Sequence, residues 1–250
     1  MELIDFANER KEKAAKQLTD VSEGATCVKK THNFQIGQAE MITIRGGAIE
    51  KAAITHLILK GIKMPVTGEE TDAMVYQMEI FPENPHCPMG HFNTEWNTTV
   101  PVRCHMNLDL FPAVRIEQDL NAIKHKMDEV ADKFGRDRDK MREGLDLHYN
   151  MEHWSSPLAT KVGCKLLQLK EEDFNLFITA YHTFFDAYLE ILSKRKDARF
   201  TEEEKRLKLK RNGKWLEYIA FKDRAVKMAQ AAGIPSEVLI GLSFPPSAVF

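Results

Sequence analysis

Histidine, cysteine and carboxylate side chains at short spacing are the first places to look for chemistry. His86, Cys87 and His91 form an H-C-x3-H cluster between prolines 85 and 88 and the stretch that follows. Closed zinc sites take four ligands, and no fourth donor stands at a usual spacing. The cluster therefore reads as a turn leading into a strand, and no metal is expected. A second constellation lies at Arg103, His105, Asn107 and Asp109, which alternate with Cys104, Met106, Leu108 and Leu110. On a strand this alternation puts the polar groups on one face and the apolar groups on the other. The polar face is either a solvated sheet surface or the floor of a pocket. Burying Asp109 is costly unless the carboxylate is paired or used. The glycine-rich nucleotide signatures, the GxSxG elbow and HExxH are all absent.

The chain that must position these groups has 250 residues, 35 basic and 37 acidic, and a net charge of -2. At 43% hydrophobic it has globular composition, and disordered or low-complexity classes are excluded. Nucleic-acid binding would call for a basic excess. Apolar runs such as Ala52–Leu59 fall far short of the ~20 residues of a membrane span. The N-terminal stretch has no apolar h-region, so no secretory signal is expected. Cys27, Cys87, Cys104 and Cys164 form no CxxC pair, which points to reduced thiols and a cytoplasmic protein. No linker or repeat divides the sequence, so residues 1–250 read as one domain.

Leu3–Leu18 has the composition of a surface helix. Cys27–Leu59 reads as extended segments, with Gly46-Gly47 as a turn or a close backbone approach. Met74–Phe81 alternates as a strand stopped by Pro82, and His91–Trp96 and Val102–Leu110 read as antiparallel neighbours joined near Thr98-Thr99. Val102–Leu110 is expected to be a central strand. Arg115–Phe134 and Arg136–Tyr149 are helical by composition. Asp173–Leu192 carries an aromatic stripe at helical spacing, expected to pack on the sheet. Thr201 to Glu204 is a capping-box start. Asn212-Gly213 reads as a turn and Trp215–Phe221 as a strand. Strands segregated from long helices indicate an α+β fold built on an antiparallel sheet.

Several segments together resemble the oxygen-dependent coproporphyrinogen III oxidases. Phe81-Pro-Glu-Asn-Pro-His-Cys-Pro-Met-Gly-His-Phe-Asn93 is similar to that family's His-Pro-x-Asn-Pro and x-x-Pro-x-x-His-x-Asn segments. Gly46-Gly-Ala-Ile-Glu-Lys-Ala52 resembles its Gly-Gly-Val-x-Glu-x-Ala, and Leu108-Asp-Leu-Phe-Pro112 its Asp-Leu-Thr-Pro. The stretch from Gly213 to Arg224 resembles its Gly-Arg-Tyr-x-Glu ending in Asp-Arg, and Glu237 to Pro246 its C-terminal Pro-Pro segment.

The resemblance implies a large, mainly antiparallel sheet sandwiched between two layers of helices, in a homodimer. It implies oxidative decarboxylation of porphyrinogen propionates to vinyl groups with dioxygen and no other cofactor. The partner it implies is a tetrapyrrole substrate, with no nucleic acid and no membrane span. An enzyme on another tetrapyrrole, or a non-catalytic tetrapyrrole-binding protein on the same scaffold, are the alternatives. Carried over, Asp109, Asp223, Arg224 and His91 are the expected catalytic residues, and Asn93, Gly47, Glu95, Arg103 and His105 the substrate-binding ones. Asp109 would accept hydrogen bonds from converging pyrrole N–H groups. Its carboxylate would point into a macrocycle-sized cavity near His91, Asn93 or Arg224. Asp109→Ala is accordingly expected to abolish activity and change stability little.

The departures concern recognition of the carboxylates. Glu95 and Phe81 stand where the family has Arg and His, and a family Arg near the C-terminus falls at Ile234 or Pro235. Lys51, Arg103, Lys161 and Lys222 are the cations that could compensate.

Overall fold

Period-two alternation, repeated through the first half of the chain, builds the sheet. A computed structural model describes residues 3–63, 70–97 and 103–250. Its seven strands are β1 (Thr26–Phe34), β2 (Gly37–Gly46), β3 (Ile49–Lys63), β4 (Glu70–Pro82), β5 (Met89–Asn97), β6 (Cys104–Phe111) and β7 (Cys164–Leu169). They lie in sequence order, each antiparallel to the next. The middle strand is β4, and β6 lies one place from the edge, closer to it than expected.

The helices are α1 (Leu3–Val21), α2 (Glu117–Lys133), α3 (Leu145–His148), α4 (Phe174–Arg195), α5 (Glu202–Phe221), α6 (Arg224–Ala231) and α7 (Ser236–Ser243). One layer, α1, α2 and α4, covers one face of the sheet. There Met106, Leu108 and Leu110 of β6 pack in the same core as Phe177, Tyr181, Phe184, Phe185 and Tyr188, the α4 stripe. All five aromatic side chains are fully buried. Burying each contributes about 1.5–3 kcal/mol, so this stripe fixes α4 on the sheet. The other layer covers the opposite face in two separate patches. At one end Phe81, Met89 and Phe111 pack against Tyr149 and against Trp215 and Tyr218 of α5. At the other, Ala39, Leu57 and Leu59 pack against Ile234 and against Val238 and Leu239 of α7.

Two expected elements differ. Trp215–Phe221 is not a strand, and Asn212-Gly213 is not a turn; both lie inside α5. The buried residues Arg211, Trp215, Tyr218 and Ile219 repeat at helical spacing, and the Thr201–Glu204 capping box starts the helix as expected. Arg136–Tyr149 is not one helix but a 3-10 turn at Lys140–Arg142 and the single turn α3. Gly144, at φ +75°, breaks the run between them. Strand β7 and helices α6 and α7 were not anticipated. Val102 and the Thr98-Thr99 turn lie outside the described residues.

Candidate functional site

Between the two patches of the second layer the sheet face stays open, and a cavity of about 1910 Å³ lies over it. Its floor runs from β3 to β7, four inter-strand steps of about 4.8 Å, or roughly 19 Å. Strand β6 supplies His105 and Asn107 to this floor, Arg103 stands just before that strand, and β5 supplies His91, Asn93 and Glu95. Asp223 and Arg224, where α5 gives way to α6, form part of the roof. Seven of the nine expected site residues therefore meet in one place: His91, Asn93, Glu95, Arg103, His105, Asp223 and Arg224.

Asp109 does not. Its side chain is on the same face of β6, but it is fully buried and outside the cavity lining. The loop before β7 seals it. Asp109 Oδ2 accepts the Thr160 and Lys161 N–H groups at 2.9 and 3.0 Å. Oδ1 accepts the Thr160 hydroxyl at 2.8 Å and the Val162 N–H at 3.2 Å. Burial pushes the carboxyl up, and these donors oppose that shift. Lys161 adopts φ +60°, a conformation non-glycine residues rarely hold, and the Asp109 bonds secure it. At Gly163 a Cβ would collide with the Leu108 carbonyl, so only glycine lets the loop come this close. Asp109 is a clasp for this loop and not an acceptor facing the cavity.

Gly47 is also elsewhere. It forms the β2–β3 turn at φ +59°, where a Cβ would meet Glu23 O and Ser22 Oγ at the end of α1. Its role is the close backbone approach. Lys51 and Lys161 are not in the lining either. The Lys51 amine donates to the Ile240 and Phe244 carbonyls at 3.1 and 2.5 Å, and Lys161 reaches Asp146 at 3.4 Å. Lys165 of β7 joins Arg103, Lys222 and Arg224 as the cations of the cavity.

The acidic groups of the lining are Glu70, Glu95 and Asp223. Burial, and then the charge of Asp223, push the Glu95 carboxyl up. Asp223 caps α6, accepting the Ala225 and Val226 N–H groups at 2.7 and 3.2 Å. Burial lowers His105, and it brings the lining residue His148 down to about 4.

At the inner wall, His91 Nδ1 lies 2.7 Å from Glu79 Oε1. Gln77 Nε2 donates to the same oxygen at 2.9 Å. Glu79 is fully buried. Sequence reasoning missed this residue, although β4 alternation signals it: Val75, Gln77 and Glu79 oppose Met74, Tyr76 and Met78. The H-C-x3-H cluster is split. His86 Nε2 lies 2.8 Å from Glu204, and Cys87 Sγ faces the Leu192 carbonyl at 4.0 Å. Among the described residues no group of three or more His, Cys, Asp or Glu could hold a metal ion.

A seven-stranded antiparallel sheet between two helix layers, with a large cavity on one face, defines an α+β sandwich. The family model for coproporphyrinogen III oxidase matches residues 1–250, the whole chain, and the chain belongs to that family.

Proposed function

We propose that the cavity binds a propionate-bearing porphyrinogen and that the protein carries out oxidative decarboxylation on it. The observation that carries this reading is the cavity itself: about 1910 Å³ in volume, polar at its floor, with four cationic side chains in its lining. A tetrapyrrole laid along the sheet would span the floor, with its carboxylates toward Arg103, Lys165 and Arg224; the Lys222 amine is taken up by the Leu147 and Asn150 carbonyls at 3.0 and 2.6 Å. Each charge-assisted bond of that kind is worth about 1.5–3 kcal/mol. Per propionate, carbon dioxide and a hydride equivalent leave, a vinyl group remains, and dioxygen takes the two electrons. The reading asks for no metal or organic cofactor.

Aerobic incubation with coproporphyrinogen III, followed by product fluorescence after oxidation, tests it. The expected product has lost propionates. Absence of both turnover and tetrapyrrole binding would overturn the reading. Binding without turnover would favour a carrier instead, and the sealed Asp109 is the observation on that side.

A further inference from the structure

We propose that the cavity selects a macrocycle with carboxylates on one edge and apolar substituents on the opposite edge, over one with carboxylates all round. This deepens the tetrapyrrole reading and rests on it. The register of the sheet sorts the floor into two halves. One row runs from β3 to β6 through Leu57, Val75, Glu95 and His105, each opposite the next. The row outside it runs through Leu59, Ala73 and Asn97 to Arg103, whose carbonyl accepts the Asn97 N–H at 3.2 Å. In both rows apolar side chains give way to polar ones between β4 and β5. The next row inward, from Thr55 to Lys165, is polar throughout, so the apolar wall belongs to the outer part of the cavity.

The roof changes in the same sense. Helix α6 starts at Arg224, capped by Asp223, and the charge of Asp223 acts on Glu95, so this end lies near β5. Further along α6, Val226 and Ala229 pack with the cluster of Leu57, Leu59 and Ile234. Among the described residues of the lining, every Lys and Arg belongs to the β5–β7 half, and the charged residue at the other end is Glu70. The acids of the cationic half do not cancel it. Asp223 is engaged in capping α6, and burial pushes the Glu95 carboxyl up, toward its neutral form.

From β5 to β7 is two inter-strand steps, about 10 Å. A substituted tetrapyrrole is wider than that, so its far edge reaches β4 and β3. There it meets Ala73 and Val75, both half-buried, with Leu57 and Leu59 beside them. A propionate on that edge would exchange water for an apolar wall and stand on the Glu70 side of the cavity. A methyl, ethyl or vinyl group there buries apolar area instead.

Soret titrations of the whole protein with two porphyrins of the same substituent order test this. Mesoporphyrin IX has two propionates on adjacent rings and ethyl groups opposite; coproporphyrin III has propionates in place of the ethyls. Mesoporphyrin IX should bind at least about tenfold tighter. Equal affinity, or tighter binding of coproporphyrin III, would overturn the inference with no variant required. Failure of both to bind would bring down the tetrapyrrole reading itself. Val75→Lys separates the proposed wall from a general preference for the more apolar porphyrin. It puts a cation on the apolar wall, and the affinity ratio should fall to about threefold or less. An unchanged ratio in the folded variant would overturn the inference. Should Val75→Lys not fold, Val226→Lys reads the same ratio from α6, a helix with no buried residue. Lys165→Met should weaken both porphyrins by a similar factor, and a loss confined to coproporphyrin III would contradict the shared carboxylate edge.

Discussion

Asp109 and Lys51 show how burial decides what a charged residue does. Asp109 satisfies three backbone N–H groups and one hydroxyl of the 160–162 loop. Leaving buried donors unpaired costs about 1–3 kcal/mol each, without strict additivity. Asp109→Ala should therefore destabilise the protein by about 3 kcal/mol in urea denaturation, the reverse of the small effect expected from a cavity-facing carboxylate. A variant of wild-type stability would show that the clasp is not needed.

For Lys51, burial is the main cause that brings the amine down from 10.5 to about 7. Between those two values the unfolded chain binds a proton that the folded chain releases, so stability rises with pH. Relative to Lys51→Met, the wild type should gain stability between pH 7 and pH 9 and stay level below pH 7. Parallel denaturation curves for the two proteins across that range check the sign.

The strands were legible because alternation is a local signal that the sheet keeps. β2, β4, β5 and β6 fall where alternation put them, and the α4 aromatic stripe packs on the sheet as its spacing implied. Helix α5 was misread because Trp-Leu-Glu-Tyr-Ile-Ala-Phe satisfies a period of two as well as one near 3.6. What decides it is distant: Asn212 donates to the Ser247 carbonyl at 2.9 Å, and the Val249 carbonyl passes against Gly213. Asn-Gly is thus a docking point for the C-terminal segment. In Gly213→Ala the new methyl has no room, and a loss of about 1–3 kcal/mol is expected in thermal unfolding. An unchanged midpoint would mean that the segment moves aside freely.

Seven of the nine residues expected at the site do line one cavity, because strand periodicity assigns each to a face. Asp109 and Gly47 do not, since periodicity says nothing of what covers a face. The cover of Asp109 comes from a loop about fifty residues further along the chain, and that of Gly47 from the end of α1. Glu79 went unnoticed because it lies one strand away from the motifs. Over the described residues the sheet is packed tightly on one side and roofed in two patches on the other, and the gap between the patches is the proposed binding site. Among the described residues no helix is long and apolar enough to cross a membrane.

On the proposed reading a tetrapyrrole occupies this gap above β5. Titration of coproporphyrin III into the wild type and into Asn93→Trp, followed at the Soret band, checks it. Asn93 lies on the cavity floor, half-buried, where an indole would fill space that the macrocycle needs. The wild type should give a saturable band shift at one macrocycle per chain, and Asn93→Trp should lose at least tenfold in affinity, about 1.4 kcal/mol or more, while remaining folded. No shift with the wild type, or equal affinity in the two proteins, would contradict it.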